Sequence, residues 1–143
     1  MARQELVKVQ FYDADVGYEN LWAAPVDGNR YRIESIPFFI YGIALGDVVF
    51  AEPDEDGQLR FIRVDMHSGN RTLRARSDEL IDDASRRDRI MAGLKALGCD
   101  VEAHRDRLLA INLPPKINLE TVTDYLTSNG LSWEYGHPEN LNQ

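Results

Sequence analysis

The chain has 143 residues, of which 43% are hydrophobic and 28% charged, enough to fill one domain or two very small ones sharing an interface. Its net charge of −8 is uneven: residues 1–66 carry −6 and residues 67–143 carry −2. The 28% charged fraction argues against extensive disorder, and the acidic balance repels phosphate backbones and favours encounter with a basic partner.

No secretory signal is expected at Met-Ala-Arg-Gln-Glu-Leu. The longest apolar stretch, Ile36 to Leu45, is about half a membrane span and is interrupted by Pro37 and Gly42. Cys99 is the single cysteine, expected as a small buried hydrophobe behind a helix. These features predict a cytoplasmic protein with no membrane contact.

In chain order, the first 66 residues predict short strands. Leu6, Val9 and Phe11 lie in the first run, Glu19 to Ala24 in the second around Trp22, and Tyr31 to Glu34 in the third. Asp27-Gly28-Asn29 is a hairpin signal. Pro37 predicts a loop or edge segment, and Gly46-Asp47 a turn into Val48–Ala51. Asp54-Glu55-Asp56-Gly57 turns the chain again into Leu59–Val64. Closely spaced strands without a helix predict a small antiparallel β-barrel over 1–66.

The rhythm changes after Gly69. Thr72–Ser77 predicts a strand, and Asp82-Asp83 leads into a helix from Ala84 to Leu97 with Ile90, Met91, Leu94 and Leu97 on one face. Gly98 ends it. Cys99–His104 and Leu108–Leu113 predict a hairpin across Arg105-Asp106-Arg107. Asn118 caps a second helix through Leu119, Val122 and Leu126, and Leu131–Tyr135 is the last strand before a frayed tail from His137. The order βαββαβ predicts a ferredoxin-like module over 67–143, making the whole an α+β protein.

Glu19-Asn20-Leu21-Trp22-Ala23, Tyr31-Arg32-Ile33, Ile36-Pro37-Phe38-Phe39, Tyr41-Gly42 and Gly46-Asp47-Val48-Val49 together resemble a family of small bacterial proteins known as a domain of unknown function. Ser68-Gly69, Thr72, Arg74 and Leu94-x-x-Leu97-Gly98-Cys99 extend the resemblance over most of the chain. The resemblance implies a bacterial cytosolic origin and brings no activity, cofactor or site.

Four constellations carry chemistry. Phe38, Phe39 and Tyr41 either plug the narrow barrel or line an exposed aromatic groove. Asp47 is expected in a turn, its carboxylate bonding nearby amides. His67, Ser68 and Asp47 form a hydrolase or transferase site only if folding joins them. Ser68, Arg71, Arg74 and Arg76 lie at the junction of the two modules, where arginine forks either hold a small anionic ligand or pair with the carboxylates next door.

Paired histidine or cysteine spacing is absent, so no metal is expected, and no cofactor motif occurs. Arg86, Arg87 and Arg89 alternate with acids and read as a solvated helix face rather than a nucleic-acid stripe. The expected function is therefore non-enzymatic binding of a basic protein partner, in a toxin-neutralising, immunity-like role. A sensor of a small anion is the alternative, and an uncharacterised enzyme the third.

Overall fold

Five strands run as a meander: β1 Val7–Asp13, β2 Gly17–Asp27, β3 Arg30–Ile33, β4 Val48–Pro53 and β5 Leu59–Met66. The computed structural model describes residues 5–77, 83–105 and 107–136. Each successive pair is antiparallel, so the fifth strand runs in the direction of the first. The barrel therefore closes through a parallel contact, Val9 beside Leu59 and Gln10 beside Arg60. The β2–β3 turn has only Gly28 and Asn29 to reverse the chain, and Gly28 takes a positive φ of 49°. Alternation points Val9 and Phe11, then Leu21 and Ala23, into the barrel, where Phe11 stacks on Phe61 at 4.6 Å.

What completes that interior departs from expectation. Ile40 and Ile43, from the long connection between β3 and β4, join the barrel core, whereas Phe39 and Tyr41 remain 38% and 50% exposed and Phe38 half-buried. The aromatics do not plug the barrel. The aliphatic residues Ile40 and Ile43 of the same segment do, while Ile36 is buried outside that cluster.

The second unit follows as β6 Arg71–Arg76, α1 Ala84–Ala96, β7 Asp100–His104, β8 Leu108–Leu113, α2 Leu119–Ser128 and β9 Ser132–Tyr135. Its four strands are ordered β7-β8-β6-β9 and pair antiparallel throughout. Asp83 caps α1 by accepting from the Arg86 amide at 2.9 Å, and Asn118 caps α2 through Thr121 at 3.1 Å. Both helices cover one sheet face, with Ile90, Leu94, Val122 and Leu126 against Leu73, Ala75, Leu109 and Ile111. Gly93 allows their close approach: a Cβ there would lie 1.9 Å from the Tyr125 hydroxyl.

The arginine run of α1 is not wholly solvated, since Arg86 is half-buried and donates to the Asn129 carbonyl at the end of α2. Cys99 is buried as expected. Among the described residues no helix is long and apolar enough to cross a membrane. The expectations for Asp82, Asp106 and the tail from residue 137 lie outside the described residues.

Candidate functional site

Strand alternation sends Thr72, Arg74 and Arg76 of β6 to the sheet face opposite the helices. The pairings place Asn112 beside Thr72 and Asp100, Glu102 beside Ala110, His104 beside Leu108, Glu134 beside Arg74 and Ser132 beside Arg76. The connection 34–47 lies over this polar face.

A pair of opposite charges pins that connection through its backbone. The Glu19 carboxylate accepts from the amides of Phe38 at 2.8 Å, Phe39 at 3.0 Å and Ile40 at 2.9 Å. Arg74, only 4% exposed, donates from Nε to the Pro37 carbonyl at 3.4 Å and from Nη1 to that of Phe39 at 3.3 Å. Its Nη2 reaches the Ile40 carbonyl. Peptide dipoles thus run from an anion on one side of the segment to a cation on the other. Amides point at the carboxylate and carbonyls at the guanidinium, so each charge satisfies groups that burial would orphan.

Burial pulls Arg74 below its ordinary value, while the nearby Glu134 and Glu19 carboxylates push it back up. The guanidinium lies 4.7 Å from the Tyr41 ring and 3.5 Å from Glu134 Oε2, which also accepts the Tyr41 hydroxyl. That hydrogen bond to Glu134 raises the Tyr41 phenol, with burial adding to the rise. Gly136 leaves space for the arginine, since a Cβ there would stand 3.0 Å from Arg74 Cζ.

With its backbone fixed in this way, the segment shows its rings outward. Phe38 and Phe39 gather on His104 of β7, with ring centroids 5.0 and 5.3 Å from the imidazole. Two residues back along each chain, the Glu102 carboxylate accepts from the Ile36 amide at 3.3 Å. Here a cleft of about 300 Å³ opens, lined by Glu34, Ile36, Lys95, Cys99, Asp100 and Glu102. Burial raises the Glu102 carboxyl above its ordinary value, the Ile36 amide opposing that rise. Burial, with Asp100 adding, pushes the Cys99 thiol up to about 11. Cys99 is a poor thiolate at neutral pH.

Folding does bring Asp47, His67 and Ser68 together. Asp47 is fully buried; Oδ1 accepts from the Ser68 amide at 2.8 Å, and Oδ2 accepts from Ala44 at 2.9 Å and faces His67 Nδ1 at 3.2 Å. The Ser68 hydroxyl donates its proton to the Leu45 carbonyl at 2.7 Å and accepts from the Asn70 amide. A serine whose one proton is held by a backbone carbonyl is not primed by an adjacent base. The cluster clamps the 44–47 turn to the link between barrel and second sheet.

The three junction arginines separate. Arg71 donates to the Pro114 carbonyl at 2.9 Å and to the Ile117 carbonyl, near the start of α2, so it does not share a site with Arg74 and Arg76. Arg74 pairs mostly with carbonyls rather than with carboxylates of the barrel. Arg76 stays exposed at the end of its strand, and Arg74, Arg76, Ser132 and Glu134 line a second, smaller cavity of about 120 Å³.

Sequence reasoning passed over Glu19, Glu102, His104 and Glu134. A signal existed for Glu19: it shares the inward parity of Leu21 and Ala23, where an unpaired carboxylate is costly. The other three lie on strands of the second sheet, and only the covering connection gives them their role.

No curated protein matches the chain. Its fold is similar to that of a hypothetical protein from Neisseria gonorrhoeae, with a TM-score of 0.66, 20% identity and 96% of each chain covered. That likeness concerns architecture alone. The domain of unknown function DUF4265 matches residues 19–135, and the chain belongs to that family.

Proposed function

We propose that this is a non-catalytic cytoplasmic interaction protein that engages a basic segment of a protein partner. The observation that carries this reading is the outward aromatic row of Phe38, Phe39 and His104, held by the Glu19–Arg74 clamp and continuous with the acidic cleft of Glu34, Asp100 and Glu102. Rings on a prefixed backbone lose little entropy on binding and suit interface anchors. Beside them, carboxylates attract guanidinium or ammonium groups, and ring faces accept the same cations. The net charge of −8 acts in the same direction at long range. Neutralising a basic toxin, as an immunity protein does, is the role this chemistry suits.

Two structural assignments accompany the proposal. Residues 1–66 are read as a barrel module and 67–143 as a ferredoxin-like module, supported by the strand order β7-β8-β6-β9 and by both helices lying on one face. The Asp47–His67–Ser68 cluster is read as a structural clamp, supported by the commitment of the serine hydroxyl to Leu45.

Affinity capture from host lysate, repeated with Phe39→Ala and across rising salt, tests the function. The expected result is a basic partner whose retention falls steeply with salt and by about tenfold or more with the substitution, the scale of losing an aromatic anchor. Retention insensitive to both salt and Phe39→Ala would overturn it.

A further inference from the structure

At the opposite side of the same sheet face, the β6–β9 register sets Arg76 across from Ser132 and Arg74 across from Glu134. Three polar groups on exposed side chains at the rim of the small cavity have no protein partner among the described residues. Arg76 makes no ion pair or hydrogen bond, the Ser132 hydroxyl makes no hydrogen bond, and Glu134 uses only Oε2, leaving Oε1 unengaged. The arrangement is also polarised: a guanidinium fork and a hydroxyl donor at one end, a carboxylate oxygen at the other.

We propose that this cavity binds the zwitterionic head of an α-amino acid. The carboxylate is held by the Arg76 fork and the Ser132 hydroxyl, and the ammonium by Glu134 Oε1. Ser132 and Glu134, two apart on β9, are separated by about 6.8 Å along the strand, and Arg76 lies across from Ser132, so the cation and the carboxylate stand at opposite ends of the cavity. A cavity of about 120 Å³ corresponds to roughly four water volumes, room for the head group with the side chain directed outward. Glu134 gives the site its selectivity. It repels a bare dianion such as phosphate and rewards a positive charge next to the guest carboxylate. Arg74, already engaged by backbone carbonyls and Tyr41, holds Glu134 in place from behind.

The test is titration of the full chain with glycine, acetate, methylammonium and inorganic phosphate, followed by amide NMR shifts at Ser132 and Glu134. Glycine is expected to give saturable shifts, with each half-ligand at least about tenfold weaker, the scale of one charge-assisted contact. Arg76→Gln, at an exposed side chain whose loss leaves the fold intact, should abolish the response, whereas Arg89→Gln on the exposed surface of α1 should leave it unchanged. Absence of saturation with glycine, or a response that survives Arg76→Gln, would overturn the site. Acetate binding as tightly as glycine would overturn the zwitterion class by removing Glu134 from recognition.

Discussion

On its helix side, the second sheet buries Leu73, Ala75, Leu109 and Ile111; on the other it turns Thr72, Arg74 and Asn112 toward the connection 34–47. All seven are shielded from water, but by different means. The helix side is held by apolar area and packing, which are tolerant of direction. The other side is held by directed bonds: Thr72 Oγ1 to the Ile43 carbonyl at 3.4 Å, Asn112 Nδ2 to Asp100 at 3.1 Å, and the Arg74 fork to three carbonyls. Among the described residues Asn112 Oδ1 meets no hydrogen-bond partner, so the seam leaves one buried polar atom unsatisfied. A polar seam of this kind fixes one segment in one conformation, which is what a displayed binding row needs.

Substitution on each side should separate the two modes of burial. Arg74→Met removes the cation from a buried network and leaves the carbonyls of Pro37, Phe39 and Ile40 without donors, a loss of about 3–5 kcal/mol. Its signature is local: hydrogen exchange at the amides of Phe38, Phe39 and Ile40 should rise before the rest of the chain opens. Uniform opening would mean that the clamp is merely part of the general core. Leu109→Ala should cost about 2–4 kcal/mol by chemical denaturation, with faster exchange spread over α1, α2 and the sheet. Exchange concentrated at the 38–40 segment in this variant would erase the distinction between the faces.

The smallest effect concerns pH. Glu102 has a folded value above its ordinary 4.5, so the folded state binds its proton more tightly than the unfolded state. Its stabilising contribution is complete below 4.5 and is lost as pH rises through the raised folded value. Glu102→Gln should remove that component of the pH–stability slope, measured as the difference between denaturation midpoints across the acid range. An identical slope in the variant would mean that the carboxyl is solvated in the cleft. Partial exposure keeps the effect modest.

Much of this architecture could be read before folding. Gly28, Gly98, Asp83 and Asn118 act locally, through a positive φ or a hydrogen bond spanning three residues, so their roles follow from neighbours in the chain. Alternation in β1 and β2 is similarly local, but which parity faces the barrel is not: Leu6 and Trp22, grouped with those runs, stand 43% and 46% exposed, while Val9, Phe11, Leu21 and Ala23 form the interior. The Asp47 turn also lay within reach, because Ala44 is only three residues away.

The binding surface was legible in fragments. Phe38, Phe39, Tyr41, Arg74 and Arg76 were visible as residues of interest, but their directions were not. Hydrophobicity ranks Phe39 as core material; its exposure follows from Glu19 and Arg74, 20 and 35 residues away, which hold the backbone between them. Arg71 and Arg74 look equivalent in the sequence, yet one meets the loop before α2 and the other lies under the β3–β4 connection. The sequence by itself determined the strands, turns, caps and the acidic charge, all set by interactions within a few residues or by simple addition. Only the tertiary structure decided which side chains face the seam, because that depends on how the connection 34–47 crosses a sheet built from residues 71–135.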